Sequence, residues 1–149
     1  MTFAGEAGAA AILVLLTLLI QTTGMVALIQ WITVHHTKGV YPLGVLGSCF
    51  LMVQFTSAIF VLHLLQVLPW AGFYRWICCP SWEAAFYFSV SSYSTVGYGG
   101  VVLPPEWRIL GPIESVTGVL MCGLSTALLF AIVHRLVEGQ ITRRAARHG

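Results

Sequence analysis

The sequence predicts an all-α integral membrane protein: three transmembrane helices, with a short re-entrant helix and extended backbone between the second and third. Three observations carry that prediction. Charge is scarce: seven Lys and Arg plus five Glu, with no Asp, make 8% of 149 residues, against ~25% in soluble domains. Apolar residues make 58% and the mean hydropathy is +0.87, more apolar surface than so short a chain can hide inside a soluble globule. Uncharged stretches also reach, in three places, the roughly 20 residues a helix needs to cross a bilayer. The same composition excludes a disordered chain. A net charge of +2 supplies no basic stripe against phosphates, so membrane lipids and not nucleic acid are the expected partners.

No charged residue lies between Glu6 and Lys38, and Ala9 to Val34 is the first expected helix. It reads as retained and not as a cleaved leader: Met1 to Ala10 holds no basic residue, and the apolar run outlasts the ~7–15 residues of a signal core. The second uncharged run, Gly39 to Tyr74, contains a helix from about Leu43 to Leu68. Pro69 should end it, leaving Trp70, Tyr74 and Trp76 as interfacial anchors. Pro80 is then a stop and Ser81 an N-cap, with Glu83 in the first turn where the helix dipole favours an anion. Trp82 to Ser94 is helix-compatible, but at ~1.5 Å per residue it covers only about 20 Å, too short to cross. It runs into Thr95-Val96-Gly97-Tyr98-Gly99-Gly100, whose glycines leave the helix. Ile109 to His134 is the third span, followed by Arg135, Glu138 and the basic Arg143, Arg144 and Arg147. Lys38, Arg135, Arg143, Arg144 and Arg147 fall on one side of these spans, Arg75 and Arg108 on the other. That asymmetry puts the first loop and the C-terminus in the cytoplasm, the N-terminus and the re-entrant segment outside.

Unpaired backbone at membrane depth is tolerated only where it is buried in protein or lines water. A TVGYG stretch meets that demand by turning its carbonyls toward an ion. Gly97 and Gly99 can take positive φ, so successive C=O groups can face one way. Four such strands around an axis make oxygen rings that replace the hydration shell of potassium, and the Thr95 hydroxyl can complete the innermost ring. The short helix before them directs its negative C-terminal end toward the water below.

On Phe88-Ser89-Val90-Ser91-Ser92-Tyr93-Ser94 followed by Thr95 to Gly99, then Trp107-Arg108, the chain resembles the potassium-channel pore-loop family. The likeness is to the KcsA-like unit of outer helix, pore helix, filter and inner helix, of the bacterial two-transmembrane type. It covers roughly Leu43 to Val137. The resemblance implies that Thr95, Val96, Gly97, Tyr98 and Gly99 are the selectivity filter. It also implies K+ held by the carbonyls of Thr95, Val96, Gly97 and Tyr98 and by the Thr95 hydroxyl. Tyr87 and Phe88 then match an aromatic cuff, while Ser91, Ser94 and Gly100 support the filter. The chain departs from the family at three points. Gly100 stands where an Asp usually follows GYG, Ser91 where some members carry a carboxylate, and the first helix is additional. That helix has no Arg repeat, which rules out a voltage sensor of the usual kind. Residues 1–38 are thus the added helix and a cytoplasmic loop, 39–138 the pore domain and 139–149 a short basic cytoplasmic tail.

Other residues admit two readings each. Gly111, Ser115, Gly118 and Cys122 share one face of the third helix, and Gly123, Ala127 and Ala131 another; either face can serve close packing, and Gly118 or Gly123 is a candidate gating hinge by analogy with the family. Glu114 can answer the helix dipole and hydrogen-bond behind the pore helix, or attract ions directly. His35 and His36 make a solvated turn or a cytoplasmic pH sensor. His63 and Gln66 read as hydrogen-bonded contacts between helices. Cys49, Cys78, Cys79 and Cys122 are structural, or Cys78 or Cys79 bridges subunits; no metal-site spacing is present. Without Asp, no Ser-His-Asp set exists and no enzyme is expected.

The reading reached is a homotetrameric potassium channel in a cell membrane, a bacterial inner membrane, with K+ in the filter and no organic cofactor. A weakly selective cation channel is the alternative, or a non-conducting assembly or modulatory subunit that kept the pore fold.

Overall fold

The computed structural model describes residues 3–37, 45–97 and 99–148. Lys38 and Tyr98 lie outside the described residues, as do the side chains of His35, His36, Arg135, Arg143, Arg144 and Arg147. Helices α1 (Phe3–Thr37), α2 (Val45–Ile77), α3 (Trp82–Tyr93) and α4 (Leu110–His148) follow in order, with a single 3-10 turn at Pro105–Trp107 before α4. Three stretches are long and apolar enough to cross a membrane: Ala4–Trp31, Leu46–Ile77 and Pro105–His134. Their apolar side chains face outward in the single chain, Phe50, Phe60 and Phe130 among them, as lipid-facing or subunit-facing helices require. The protein is a multi-pass membrane protein.

Two elements differ from the sequence expectation. Pro69 lies inside α2 and does not end it. The ring removes one backbone hydrogen bond, but the next turn is held by packing: Trp70 and Tyr74 are fully buried, the indole Nε1 of Trp70 donating to Thr17 Oγ1 at 2.9 Å. Of the three expected interfacial anchors only Trp76 is largely exposed, at 82%. Helix α4 also continues through the expected basic tail to His148. A lone Gly139 costs the helix only about 1 kcal/mol, and Arg143, Arg144 and Arg147 beyond it are good helix formers.

Helix α3 starts where its local chemistry dictates. Ser81 is the N-cap, its Oγ accepting from the Ala84 amide at 3.1 Å, and Glu83 lies in the first turn. One face of α3 is buried (Ala85, Ser89, Ser92) against α2 and α4. At the same end of the molecule, Trp70, Tyr74, Cys79 and Leu110 form a buried cluster. There Tyr74 meets Phe88 edge-on, with ring centroids 4.8 Å apart. Helix α1 packs on both α2 and α4. Its Glu6 carboxyl accepts from the Ile109 amide at 2.8 Å, satisfying one of the amides left open at the start of α4.

Candidate ion-conduction segment

After α3 the backbone takes positive φ at three residues spaced two apart. Thr95, Gly97 and Gly99 have φ of 64°, 63° and 64°. Left-handed residues alternating with right-handed ones turn successive peptide planes the same way, with amides gathered on one side and carbonyls on the other. Glycine reaches this region freely. Thr95 is β-branched and the only such non-glycine among the described residues, and a residue of its type is held there only by its surroundings.

Those surroundings are hydrogen bonds back to α3. The Thr95 amide donates to the Ser92 carbonyl at 3.0 Å and the Gly97 amide to the Ser91 carbonyl at 3.1 Å. Ser94 caps the helix, its amide donating to the Val90 carbonyl at 2.9 Å and its Oγ to the same oxygen at 2.7 Å. These two amides thus point to the helix, and Thr95, Val96, Gly97 and Gly99 are exposed in the single chain. Positive φ at the two glycines agrees with the sequence expectation. Thr95 was readable only from its register, two residues before Gly97.

A cavity of about 170 Å³ separates α3 from this strand, lined by Tyr87, Phe88, Ser91, Ser92, Gly97, Gly99, Gly100 and Val101. Tyr87 and Phe88 therefore stand behind the strand, and Phe88 also packs on Tyr74 of α2. A Cβ added at Gly100 would stand 3.9 Å from the Tyr87 ring. The acid missing at Ser91 and Gly100 has a neighbour on another helix. Glu114, fully buried in the second turn of α4, accepts from Tyr74 Oη at 2.8 Å and from Ser89 Oγ at 2.5 Å. It joins α2, α3 and α4 behind the strand and lies a turn beyond the dipole's reach.

Helix α4 approaches α3 closely at Gly118, where an added Cβ would stand 2.1 Å from the Tyr93 carbonyl oxygen. Gly111 and Ser115 share that face, Ser115 Oγ donating to the Ser92 carbonyl at 2.6 Å. Gly123, in contrast, has nothing within 4 Å of its Cβ position, and Cys122 is exposed. His63 and Gln66 join helices as expected: Tyr93 Oη lies 2.8 Å from His63 Nδ1 and donates to Gln66 Oε1 at 2.6 Å. Sequence reasoning missed Gln21, fully buried in α1 and bonded to Gln66. Its polarity inside an apolar run was the available signal. The described residues contain no cluster of metal-ligating side chains.

Residues 48–135, more than half of the chain, match the family model described as ion channel, and the protein belongs to that family. The match takes in nearly all of α2, α3, the alternating strand and the spanning part of α4, and leaves α1 outside. No curated protein and no solved structure matches the chain.

Proposed function

We propose that the protein is a homotetrameric, potassium-selective channel in which Thr95 to Gly99 of each subunit line a four-fold axis. The observation supporting this reading is the alternation of positive φ at Thr95, Gly97 and Gly99 within a TVGYG sequence. With the Thr95 and Gly97 amides tied to α3, the carbonyls are free to face an axis and substitute for the water shell of a dehydrated cation. Helix α3 enters from one side and returns as strand, a re-entrant element whose C-terminal carbonyls add negative potential at the inner end. One chain contributes one strand, so closing the rings needs cyclic symmetry. The charge asymmetry of the loops puts the strand's outer end outside the cell and the end of α4 in the cytoplasm.

Reconstitution tests this directly. Purified protein in liposomes with a potassium gradient should give flux, and bi-ionic reversal potentials should favour K+ over Na+, with block by Ba2+. A second reading, a weakly selective cation channel, is favoured by one feature: neither Ser91 nor Gly100 supplies a carboxylate to tie the outer end of the strand. Equal K+ and Na+ permeability would establish it, and absence of flux would make the chain a non-conducting subunit.

A further inference from the structure

Five buried or half-buried polar side chains form one chain of hydrogen bonds through all four helices. His63 Nδ1 lies 2.8 Å from Tyr93 Oη. Tyr93 Oη donates to Gln66 Oε1 at 2.6 Å, Gln66 Nε2 to Gln21 Oε1 at 2.5 Å, and Gln21 Nε2 to Ser125 Oγ at 3.0 Å. Tyr93 has a single proton and spends it on Gln66, so His63 must donate from Nδ1. All donors then point the same way, from α2 through α3 and α2 again to α1 and α4, and such chains polarise one another. Gln21 and Gln66 are fully buried, where an amide left unpaired in an apolar setting is costly.

The position of this chain matters more than its length. Tyr93 is the last residue of α3 and stands two residues before Thr95. Its carbonyl is pressed against Gly118, so its backbone has no room to drift toward α4. Its ring reaches back to Gln66 of α2, and through Gln66 to α1.

The geometry points to α1, the helix outside the ion-channel match, as a working part of the pore: Gln21 is a positioning residue that fixes the end of α3 through Gln66 and Tyr93 and thereby sets selectivity. This rests on reading Thr95 to Gly99 as the conducting strand. The test compares bi-ionic K+/Na+ reversal potentials of the full-length protein in planar bilayers. Gln21→Leu and Tyr93→Phe should each lower the K+/Na+ permeability ratio about tenfold, the size of one lost buried hydrogen bond. The double variant should fall no further than either single one, because both cut the same chain. Gln21→Glu, which in its neutral form keeps an acceptor and a donor, should retain the wild-type ratio. Thr17→Val is the control for docking of α1 as such: it removes the Trp70 contact of the same helix and should leave the ratio unchanged.

An unaltered ratio in Gln21→Leu, or an equal loss in Thr17→Val, would overturn the inference while a selective wild type upholds the filter reading. A wild type that does not prefer K+ overturns that reading and the inference together. Should Gln21→Leu yield no folded protein, Gln21→Asn, whose amide falls one methylene short of Gln66, reads the same contact and must show the same loss.

Discussion

Conformation, not space, makes Gly97 a glycine. Nothing stands within 4 Å of its Cβ position in the single chain, yet its φ is +63°, where a residue with a Cβ pays roughly 1–2 kcal/mol. A tetramer would make that substitution in every subunit, about 4–8 kcal/mol on one ring by the same estimate. Gly97→Ala should therefore abolish selective K+ flux while the helices remain inserted, as read by flux and by protease protection in the same liposomes. The glycines of α4 separate on the opposite criterion. Gly118→Ala drives a Cβ into the backbone of Tyr93 and should cost about 1–3 kcal/mol, the usual range for overpacking. Gly123→Ala meets nothing and should gain roughly 0.5–1 kcal/mol as a helix-interior replacement. Thermal unfolding in detergent measures both. Any loss of opening in Gly123→Ala, with its stability intact, then reports a hinge at that position.

Between helices the weight falls on a few buried polar groups. Glu114→Ala takes the acceptor from Tyr74 Oη, and Ser89 Oγ keeps only the Val67 carbonyl at 3.2 Å. The stranded hydroxyl should lower stability by about 1–3 kcal/mol, and Glu114→Gln, which keeps one acceptor, by less; denaturant unfolding in detergent separates the two. What the sequence could reveal about these elements divides along the same line. The start of α3 was legible because Pro80, Ser81 and Glu83 act within one turn of each other. The alternating strand was legible because Gly97 and Gly99 mark it at fixed spacing. Pro69 misled because its local effect is outweighed by Trp70 and Tyr74, whose partners Thr17 and Glu114 lie 53 and 40 residues away. Gln66 stood out as a polar residue in an apolar run and Gln21 was passed over, because that the two face each other follows from helix packing, which no local pattern encodes.

At the scale of the whole molecule, orientation is the property most open to test. Cys78 is half-buried and Cys79 buried between α2 and α3, both as free thiols 3.8 Å apart. Burial, with help from the Cys79 contact, pushes the Cys78 thiol up to about 11. An acid raised in this way stays protonated through neutral pH, and the thiolate is the reactive form. Labelling of Cys78 by an impermeant maleimide added outside should therefore be slow at pH 7 and rise about tenfold per pH unit until the thiol titrates. A cysteine placed at Arg144, in a Cys78→Ser background, should react only after permeabilisation. The reverse pattern would invert the topology.

The bond between Glu6 and the Ile109 amide joins residues 103 positions apart, and its consequence lies in biogenesis. Helix α1 is synthesised before α4, and it carries the carboxyl that completes the start of α4. Until α4 arrives, Glu6 lacks the Ile109 amide and Gln21 lacks Ser125, polar groups that hydrocarbon cannot satisfy. Entry of α4 removes both deficits at once, so its insertion is favoured by more than its own hydrophobicity. An α1 already in the membrane thus holds a partner ready at each of two points along α4, Ile109 and Ser125, before α4 is made.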